Sequence, residues 1–248
     1  MSEKIYIYGA SGHGLVCADI ALAVGYKEVI FLDDFNEKKG QKFTPNLPKH
    51  DIFIAVGDNC ARERLAQMVQ NAGFECVSLV HPSAVIAPSA SVSGANVAVM
   101  ASVVINARAK VLAGAILNTA CIIEHECIVG EFAHISIGAK LAGNVSVGAR
   151  CFLGANSCVL PNLRLCAGVV LGAGAVATKN IEQSGVFVGV PARLMASKAD
   201  KKGVKGKKNS AKSVNSNPKS NLNSQNSSKI HTKRAENSKK SVSQKDKK

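Results

Sequence analysis

Hydrophobic and polar positions follow two different patterns along the chain, and the pattern changes near residue 81. In the first 80 residues, short apolar runs alternate with longer stretches that contain apolar residues at helical spacing. The runs predict four β-strands and the stretches predict two helices: Lys4–Tyr8, Leu15–Val24 (helix), Val29–Leu32, Ile52–Val56, Arg62–Ala72 (helix) and Phe74–Val80. The order β-α-β-β-α-β predicts a small parallel, Rossmann-like sheet in an N-terminal domain over 1–80.

From residue 81 onward the apolar positions recur every six residues. Thirteen of the fourteen positions taken at this interval from Val99 to Ala177 are Val, Ile or Leu. Such a repeat is typical of a triangular β-helix in which three hexads form one coil and the aliphatic side chains point inward. Four glycines directly follow these aliphatic positions, where we expect tight corners that need a permissive backbone: Gly130, Gly148, Gly154 and Gly172.

The flat sides of such a prism can pack side by side, so we expect a β-helix domain over 81–197 that assembles as a cyclic homotrimer. Within 81–197 the fold class is therefore all-parallel β, in contrast to the α/β class of the first domain. The two patterns together predict a two-domain body.

The net charge of +14 is confined to the C-terminal end of the chain. Residues 198–248 contain 15 Lys and one Arg against three carboxylates, which leaves the first 197 residues nearly neutral at +1. This segment has no aromatic residue and is rich in Lys, Ser and Asn, so we expect a disordered tail. Weak contact with an anionic membrane and a passive solubilising role both remain open for it, and no specific nucleic-acid partner is expected.

Several classes of protein are excluded by the sequence. No apolar run approaches the 18 or more residues of a membrane span, and the N-terminus lacks the features of a signal peptide. The eight Cys include no C-x-x-C pair, so we expect reduced thiols in a cytoplasmic protein.

The motifs at the ends of the repeat resemble the hexapeptide-repeat, left-handed β-helix acyltransferases. They are HPSA at 81–84 and GVPAR at 189–193, together with hexads of the form [LIV]-G-x-x-A-x. YGASGHG at 8–14, IEHEC at 123–127 and SCVLPN at 157–162 are similar to motifs of the sugar N- and O-acetyltransferases, above all the PglD-type UDP-N-acetylbacillosamine N-acetyltransferases. The resemblance covers about 3–195 and does not include the tail.

This resemblance implies a specific reaction. An acetyl group would pass directly from acetyl-CoA to the 4-amino group of UDP-4-amino-4,6-dideoxy-N-acetyl-D-glucosamine. The product would be UDP-N,N′-diacetylbacillosamine for bacterial protein glycosylation, formed at active sites between the subunits of a homotrimer. Two alternatives are a sialic-acid-type sugar O-acetyltransferase and a non-enzymatic trimeric scaffold with a polyanion-binding tail.

His125 is the strongest catalytic candidate. A sugar amine must lose a proton to attack a thioester, and an imidazole suits the role of general base. Glu124 and Glu126 flank His125, and either could orient the ring; the resemblance assigns that role to Glu126. From the residues alone, a surface His in a polar patch is an equally good interpretation.

The glycine-rich loop 9–14 reads G-x-x-G-x-G, which departs from the dinucleotide fingerprint and does not support NAD binding. A turn of this kind before a helix still suits a phosphate. The resemblance assigns the UDP-sugar to residues in this loop, at the ends of the second and third strands and in the β-helix: Ser11, Gly12, His13, Asp33, Asp34, Gly57 and Asn118. Without it, a tight turn, strand-end acids and a corner Asn are the better explanation of these residues.

The resemblance assigns acetyl-CoA to His134 and to backbone groups of Ala155 and Ala173. Lys179 and Arg193 could meet the CoA phosphates or be solvated surface charges. From the residues alone, His134 is better explained as a structural interface His.

Metal and thiol chemistry are both disfavoured. A zinc site like that of γ-carbonic anhydrase needs three His, and 81–195 contains only His81, His125 and His134, with His81 at the far start of the β-helix. We therefore expect no metal. Cys121, Cys127 and Cys151 occupy the small position of the hexad, which predicts a core role rather than an acyl-enzyme.

Overall fold

The computed structural model describes residues 3–195, so the expectations for the tail lie outside the described residues. The N-terminal part of the chain forms three strands and two helices: β1 (Lys4–Tyr8), α1 (Gly12–Ala23), β2 (Glu28–Leu32), β3 (Asp51–Ile54) and α2 (Asn59–Asn71). The strands pair in parallel in the order β2-β1-β3. This part confirms the Rossmann-like class that the sequence predicts.

The predicted fourth strand, Phe74–Val80, does not join this sheet as a strand. Cys76 makes an isolated bridge to Ile52, and Leu79–Val80 instead forms β4, which pairs with Ala98–Val99 of the next sheet. A run of apolar residues shows that a strand is buried but not which sheet it joins, so this part of the prediction is wrong.

The remaining strands form a parallel β-helix of about six turns with three sheets. The first sheet contains β4 (Leu79–Val80), β7 (Ala98–Val99), β10 (Ile116–Leu117), β13 (His134–Ile135), β16 (Phe152–Leu153), β19 (Val169–Leu171), β21 (Gly185–Val188) and β22 (Arg193–Leu194). The second contains β5 (Val85–Ile86), β8 (Val104–Ile105), β11 (Ile122–Ile123), β14 (Lys140–Leu141), β17 (Cys158–Val159) and β20 (Val176–Ala177). The third contains β6 (Ser91–Val92), β9 (Lys110–Val111), β12 (Ile128–Val129), β15 (Ser146–Val147) and β18 (Arg164–Leu165).

The six-residue repeat folds as the sequence predicts. Paired strands are 18 residues apart between Val99 and Ala177, as in Leu117 with Ile135, so three hexads make each coil. All fourteen inward positions from Val99 to Ala177 are at most 3% exposed. In the first coil the offset is 19 residues, as in Val80 with Val99, because one extra residue lies between β6 and β7.

The corners of the β-helix use a left-handed backbone conformation at every sixth residue from Asn96 to Gly174, and Glu126 is one of these corners, with φ of 61°. The four glycines predicted to make the corners lie elsewhere, which corrects that expectation. A Cβ on Gly148 or Gly154 would come within 2.5 Å of a backbone nitrogen in the next coil, and the same crowding occurs at Gly130 and, against Val188, at Gly172. These glycines are therefore required by the close approach of coils and not by φ.

The N-terminal part packs on the outer side of the first sheet. Ala98 and Ile116 point outward from the β-helix, yet both are fully buried and share a hydrophobic core with Ile5 and Ile7 of β1. Buried Asn96 accepts a hydrogen bond from the backbone N–H of Ile54 at 2.6 Å, which ties the end of β3 to the first coil. Neither described helix reaches the length and apolarity that crossing a bilayer requires.

Candidate active site

The turn between β1 and α1 brings the N-terminus of the helix to the carboxyl edge of the sheet. Gly9 has φ of 118°, and a Cβ on Gly14 would lie only 1.8 Å from the Gly9 carbonyl oxygen, so no other residue fits this turn. Ser11 precedes the helix without capping it through its side chain. The Ser11 hydroxyl and the first helical N–H groups, including those of Gly12 and His13, are therefore available to an anionic group.

The two acids after β2 shape the loop that follows them. Asp33 Oδ1 accepts hydrogen bonds from the backbone N–H groups of Phe35 and Asn36, both at 3.0 Å. Asp34 accepts one from the N–H of Phe43 at 2.9 Å and another from the Tyr8 hydroxyl. The structure places both carboxylates at the same sheet edge as the turn, and their role in reading ribose or uracil stays a prediction.

Four of the predicted ligand residues meet where the N-terminal part contacts the β-helix. The rings of His13 and His134 are 6.4 Å apart, and Asn118 Nδ2 lies 3.2 Å from His134 Nε2. The backbone of Gly57 lies close enough to His134 to raise the pKa of its ring. We call His13, Gly57, Asn118 and His134 the buried junction after its buried member His134; His13 and Asn118 are half-buried, and Gly57 is exposed.

His134 is 8% exposed and packs edge-on against Phe152, with ring centroids 5.1 Å apart. Its Nδ1 atom is buried and has no hydrogen-bond partner within residues 3–195. An unpaired buried nitrogen of this kind is costly unless a ligand supplies the missing group. This second observation supports a ligand role for His134 that its position in the sequence alone did not.

Both imidazoles of the buried junction are neutral at physiological pH. Burial lowers the pKa of His134 to about 4, with the Arg62 guanidinium and the His13 ring acting in the same direction and the Gly57 carbonyl opposing them. Burial and Arg62 likewise lower the pKa of His13 to about 4. Neutral rings can each donate one hydrogen bond and accept another, which suits the recognition of a polar ligand.

Arg62 is the functional neighbour that sequence reasoning missed. It is fully buried, and its guanidinium donates five hydrogen bonds to the carbonyls of four residues and to the side chain of a fifth. A signal was present, because Arg62 shares the buried side of α2 with Ala66 and Val69 at the spacing i, i+4, i+7. A charged residue on the apolar face of a helix indicates a specific buried partner.

His125 lies in a different environment, at a corner between the second and third sheets. Its side chain is 58% exposed, and its Nδ1 atom is 3.4 Å from Glu126 Oε2. The other oxygen of Glu126 accepts a hydrogen bond from Arg108 at 2.7 Å. A Cβ on Gly143 would come within 2.5 Å of the His125 ring, so the ring lies directly over that glycine. We call His125, Glu126 and Arg108 the exposed corner.

Glu124, the other flanking acid, is used differently. One of its oxygens accepts hydrogen bonds from Asn106 Nδ2 at 3.0 Å and from the backbone N–H of His125 at 3.3 Å. It therefore holds the backbone of the corner, whereas Glu126 is the acid that contacts the imidazole.

The exposed corner and the buried junction do not touch within one chain. No hydrogen bond, ion pair or ring contact joins His125 to either His13 or His134 in the part of the chain that the structure describes. Both do border the second sheet, since Asn118 precedes strand β11 and His125 follows it. The outward residues of that sheet are mostly apolar: Val85, Val104, Ile122, Lys140, Cys158 and Val176.

The backbone N–H groups of Ala155 and Ala173 form no hydrogen bond within residues 3–195, while the Ala155 carbonyl accepts one from Gly174 at 2.8 Å. The two amides are thus free to donate to a ligand, as the assignment to acetyl-CoA requires. Lys179 and Arg193 line one cavity of about 310 Å³ near the end of the β-helix, in which Phe187 and Leu194 supply apolar surface.

The three thiols at the small position of the hexad are poor nucleophiles. Cys121, Cys127 and Cys151 are buried at the small hexad position. Burial raises the pKa of Cys121 to about 12 and that of Cys151 to about 11, and it also raises the pKa of Cys127. Thiolates are therefore scarce at neutral pH. Among residues 3–195, no group of three or more His, Cys, Asp or Glu is arranged to hold a metal ion.

Comparison with known proteins agrees with this geometry. A family model described as the PglD N-terminal domain matches residues 4–69. PerB from Caulobacter crescentus, solved in complex with CoA and GDP-perosamine, is 34% identical, with a TM-score of 0.74 over 78% of this chain and 97% of that one. The acetyltransferase domain of PglB from Neisseria gonorrhoeae, solved in complex with acetyl coenzyme A, is 33% identical, with a TM-score of 0.72 over 79% of this chain and 100% of that domain.

The α/β unit, the β-helix and these likenesses along nearly the whole length of both relatives define an acyltransferase. The chain belongs to the sugar N-acetyltransferases of the hexapeptide-repeat, left-handed β-helix family.

Proposed function

We propose that this protein transfers the acetyl group of acetyl-CoA to the 4-amino group of UDP-4-amino-4,6-dideoxy-N-acetyl-D-glucosamine. The product is UDP-N,N′-diacetylbacillosamine, which serves bacterial protein glycosylation. The observation that carries the proposal is the buried junction, where His13, Gly57 and Asn118, which are assigned to the sugar nucleotide, meet His134, which is assigned to acetyl-CoA. The complex of PerB with CoA and GDP-perosamine supports an amino-sugar nucleotide as the acceptor.

The transfer is direct and uses His125 as the general base. The neutral amine of the sugar attacks the thioester carbon, the C–N bond forms, and the C–S bond breaks to release CoA. His125 takes the proton that the nitrogen loses, and the CoA thiolate receives a proton in turn. Glu126 orients the ring and stabilises the imidazolium, while the N–H groups of Ala155 and Ala173, which have no hydrogen-bond partner within residues 3–195, donate to the acyl donor.

The proposal includes a homotrimer, because within one chain the general base His125 lies apart from the ligand residues of the buried junction. The exposed corner and Asn118 lie at opposite edges of the apolar outer side of the second sheet. If this side faces a threefold axis, the His125 edge of one subunit meets the Asn118 edge of the next. Each active site would then combine the buried junction of one chain with His125 of the partner subunit.

A cytoplasmic location is also proposed, because all eight Cys are unpaired, as they are in a reducing compartment. For the basic tail, residues 198–248, we propose weak contact with anionic membranes. Removal of all residues after Met195 would leave acetyl transfer intact and abolish sedimentation with anionic vesicles. Retained sedimentation would contradict the membrane role.

The decisive experiment for the reaction incubates the purified protein with acetyl-CoA and three acceptors separately. These are the UDP-4-amino sugar, GDP-perosamine and a hydroxyl acceptor of the sialic-acid type. Product is measured by mass, since the exposed thiol of Cys60 would react with thiol reagents. Acetylation of the UDP-amino sugar with the highest kcat/KM is expected. Faster acetylation of GDP-perosamine would reassign the acceptor, and acetylation of the hydroxyl alone would overturn N-acetylation.

A further inference from the structure

Arg62 spans the two parts of the molecule that form the buried junction. From helix α2 it donates to the carbonyls of Val56 and Gly57, at 3.0 and 3.2 Å, where the chain leaves β3. It also donates to the carbonyls of Gly114 and Phe132 in the β-helix, both at 2.8 Å. The guanidinium is thus shared between the strand end of the N-terminal sheet and two neighbouring coils.

The two coil carbonyls belong to the corners that lead into the polar residues of the site. Gly114 lies four residues before Asn118, and Phe132 lies two residues before His134. The corners are themselves in contact, because a Cβ on Gly114 would lie 2.2 Å from the Phe132 ring. A single side chain therefore fixes both ligand-bearing coils relative to the Gly57 turn.

Arg62 has no carboxylate among its hydrogen-bond partners within residues 3–195, and its fifth bond goes to Asn59 Oδ1 at 2.9 Å. A fully buried guanidinium that is satisfied mainly by carbonyls keeps its positive charge largely uncompensated. Asp58 is the acid whose charge acts on it, and burial lowers the pKa of Arg62 to about 10, so the group remains charged at neutral pH. Joining the N-terminal part to the β-helix does not in itself require a buried charge, because hydrophobic packing alone could hold them together.

We propose that Arg62 is a positioning residue of the acetyltransferase, which locks the Val56-Gly57 turn to the coil corners before Asn118 and His134 and so sets the spacing of the ligand site. The proposal rests on the proposed function only for the identity of the ligands. The charge has a second effect, because the other groups facing His13 and His134 are Cys17, Asn118 and Phe152, none of them charged. Arg62 therefore helps to keep both imidazoles neutral.

Arg150 provides a matched control. It also connects α2 to the β-helix, through an ion pair between its Nη1 and Glu63 Oε2 at 3.0 Å, but it is partly exposed and does not contact Gly57 or either His of the buried junction. If a simple tether between the two parts were sufficient, removal of either arginine would have similar consequences.

The experiment compares Arg62→Lys, Arg62→Met and Arg150→Met in the full chain. Lys keeps the charge but cannot reach five acceptors, so Arg62→Lys should raise the KM of the UDP-amino sugar about tenfold, with a smaller change in the KM of acetyl-CoA. Arg62→Met should in addition move the NMR titrations of His13 and His134 to higher pH, while Arg62→Lys keeps them near the wild-type values. Arg150→Met should change neither readout.

The proposal is overturned if Arg62→Lys has the wild-type KM for the sugar nucleotide, or if Arg150→Met reproduces its effect. Should Arg62→Met fail to fold, the Lys variant and the control still decide the question. The proposed function fails separately, if wild-type protein does not acetylate the UDP-amino sugar. In that case calorimetric titration with UDP as the probe replaces the kinetics, and equal affinity of wild type and Arg62→Lys would reject the positioning role.

Discussion

His125 and His134 lie nine residues apart, half a coil of the β-helix, yet their surroundings are opposite. His125 is exposed and faces the carboxylate of Glu126, whereas His134 is buried near the guanidinium of Arg62. A carboxylate favours a ring that accepts a proton, and a nearby positive charge favours a ring that stays neutral. The difference teaches that the two imidazoles are suited to the different tasks proposed for them, proton transfer at the exposed corner and ligand binding at the buried junction.

The strongest test of this comparison is the removal of the proposed general base, His125. His125→Ala should lower kcat by at least about a hundredfold, the usual scale for removing a general base. Steady-state kinetics with the UDP-amino sugar measures the effect, and His81→Ala is the control, since the His81 side chain hydrogen-bonds to Ser83 at the start of the β-helix. Near-normal turnover of the His125 variant would remove this residue from the mechanism.

The buried junction should make stability depend on pH. An imidazole has a pKa near 6.5 in the unfolded chain, whereas that of folded His134 is about 4. The unfolded state binds more protons between these values, so stability is full above about pH 6.5 and declines towards pH 4.

We expect a drop from about pH 7 to about pH 5 to lower the free energy of unfolding by about 2 kcal/mol through His134. Urea unfolding at both pH values measures the loss, and His134→Gln should lack this share of it. His13 shifts in the same direction and remains in the variant, so part of the dependence persists. An identical loss in both proteins would show that His134 does not titrate as its burial implies.

The two glutamates beside His125 offer a matched pair at the exposed corner. Glu126→Gln should lower kcat roughly tenfold, because it removes the charge that stabilises the imidazolium. Glu124→Gln should have little effect on kcat, since a glutamine oxygen can still accept the bonds from Asn106 and the His125 backbone. The reverse order in steady-state kinetics would assign the orienting role to Glu124.

Replacement of Arg108 should have the smallest effect on kcat. Its side chain is 72% exposed in the pair with Glu126, and exposed ion pairs contribute about 0.2–1 kcal/mol. Arg108→Gln should therefore lower kcat less than about fivefold and respond weakly to salt. A loss as large as that of His125→Ala would mean that the exposed corner is far less solvated during the reaction than it is in one chain.

The sequence predicted the β-helix well because the same pattern, an inward aliphatic residue at every sixth position, recurs from Val99 to Ala177. It predicted the corner glycines wrongly. Glycine can be required either for a left-handed φ or for the close approach of two coils, and the presence of a glycine in the sequence does not show which of the two applies. Leu79–Val80 was assigned to the wrong sheet because strand pairing depends on tertiary contacts. Among the candidate site residues, the residue types of His13 and His134 were informative, but their juxtaposition arises from the packing of the N-terminal part against the β-helix and has no local signature.

The switch of the chain from one sheet to another at Leu79 has a consequence for protein engineering. The segment between the Cys76 bridge and β4 belongs to both parts of the molecule, so a recombination point placed at residue 80 would divide the first coil. A chimera made to exchange sugar-nucleotide specificity should cross over before Leu79. It must also keep Asn96 matched to the incoming strand β3, and the carbonyls of Gly114 and Phe132 matched to the incoming helix α2. The exchange of sugar-nucleotide specificity in this chain would therefore depend on preserving these contacts between the N-terminal part and the β-helix.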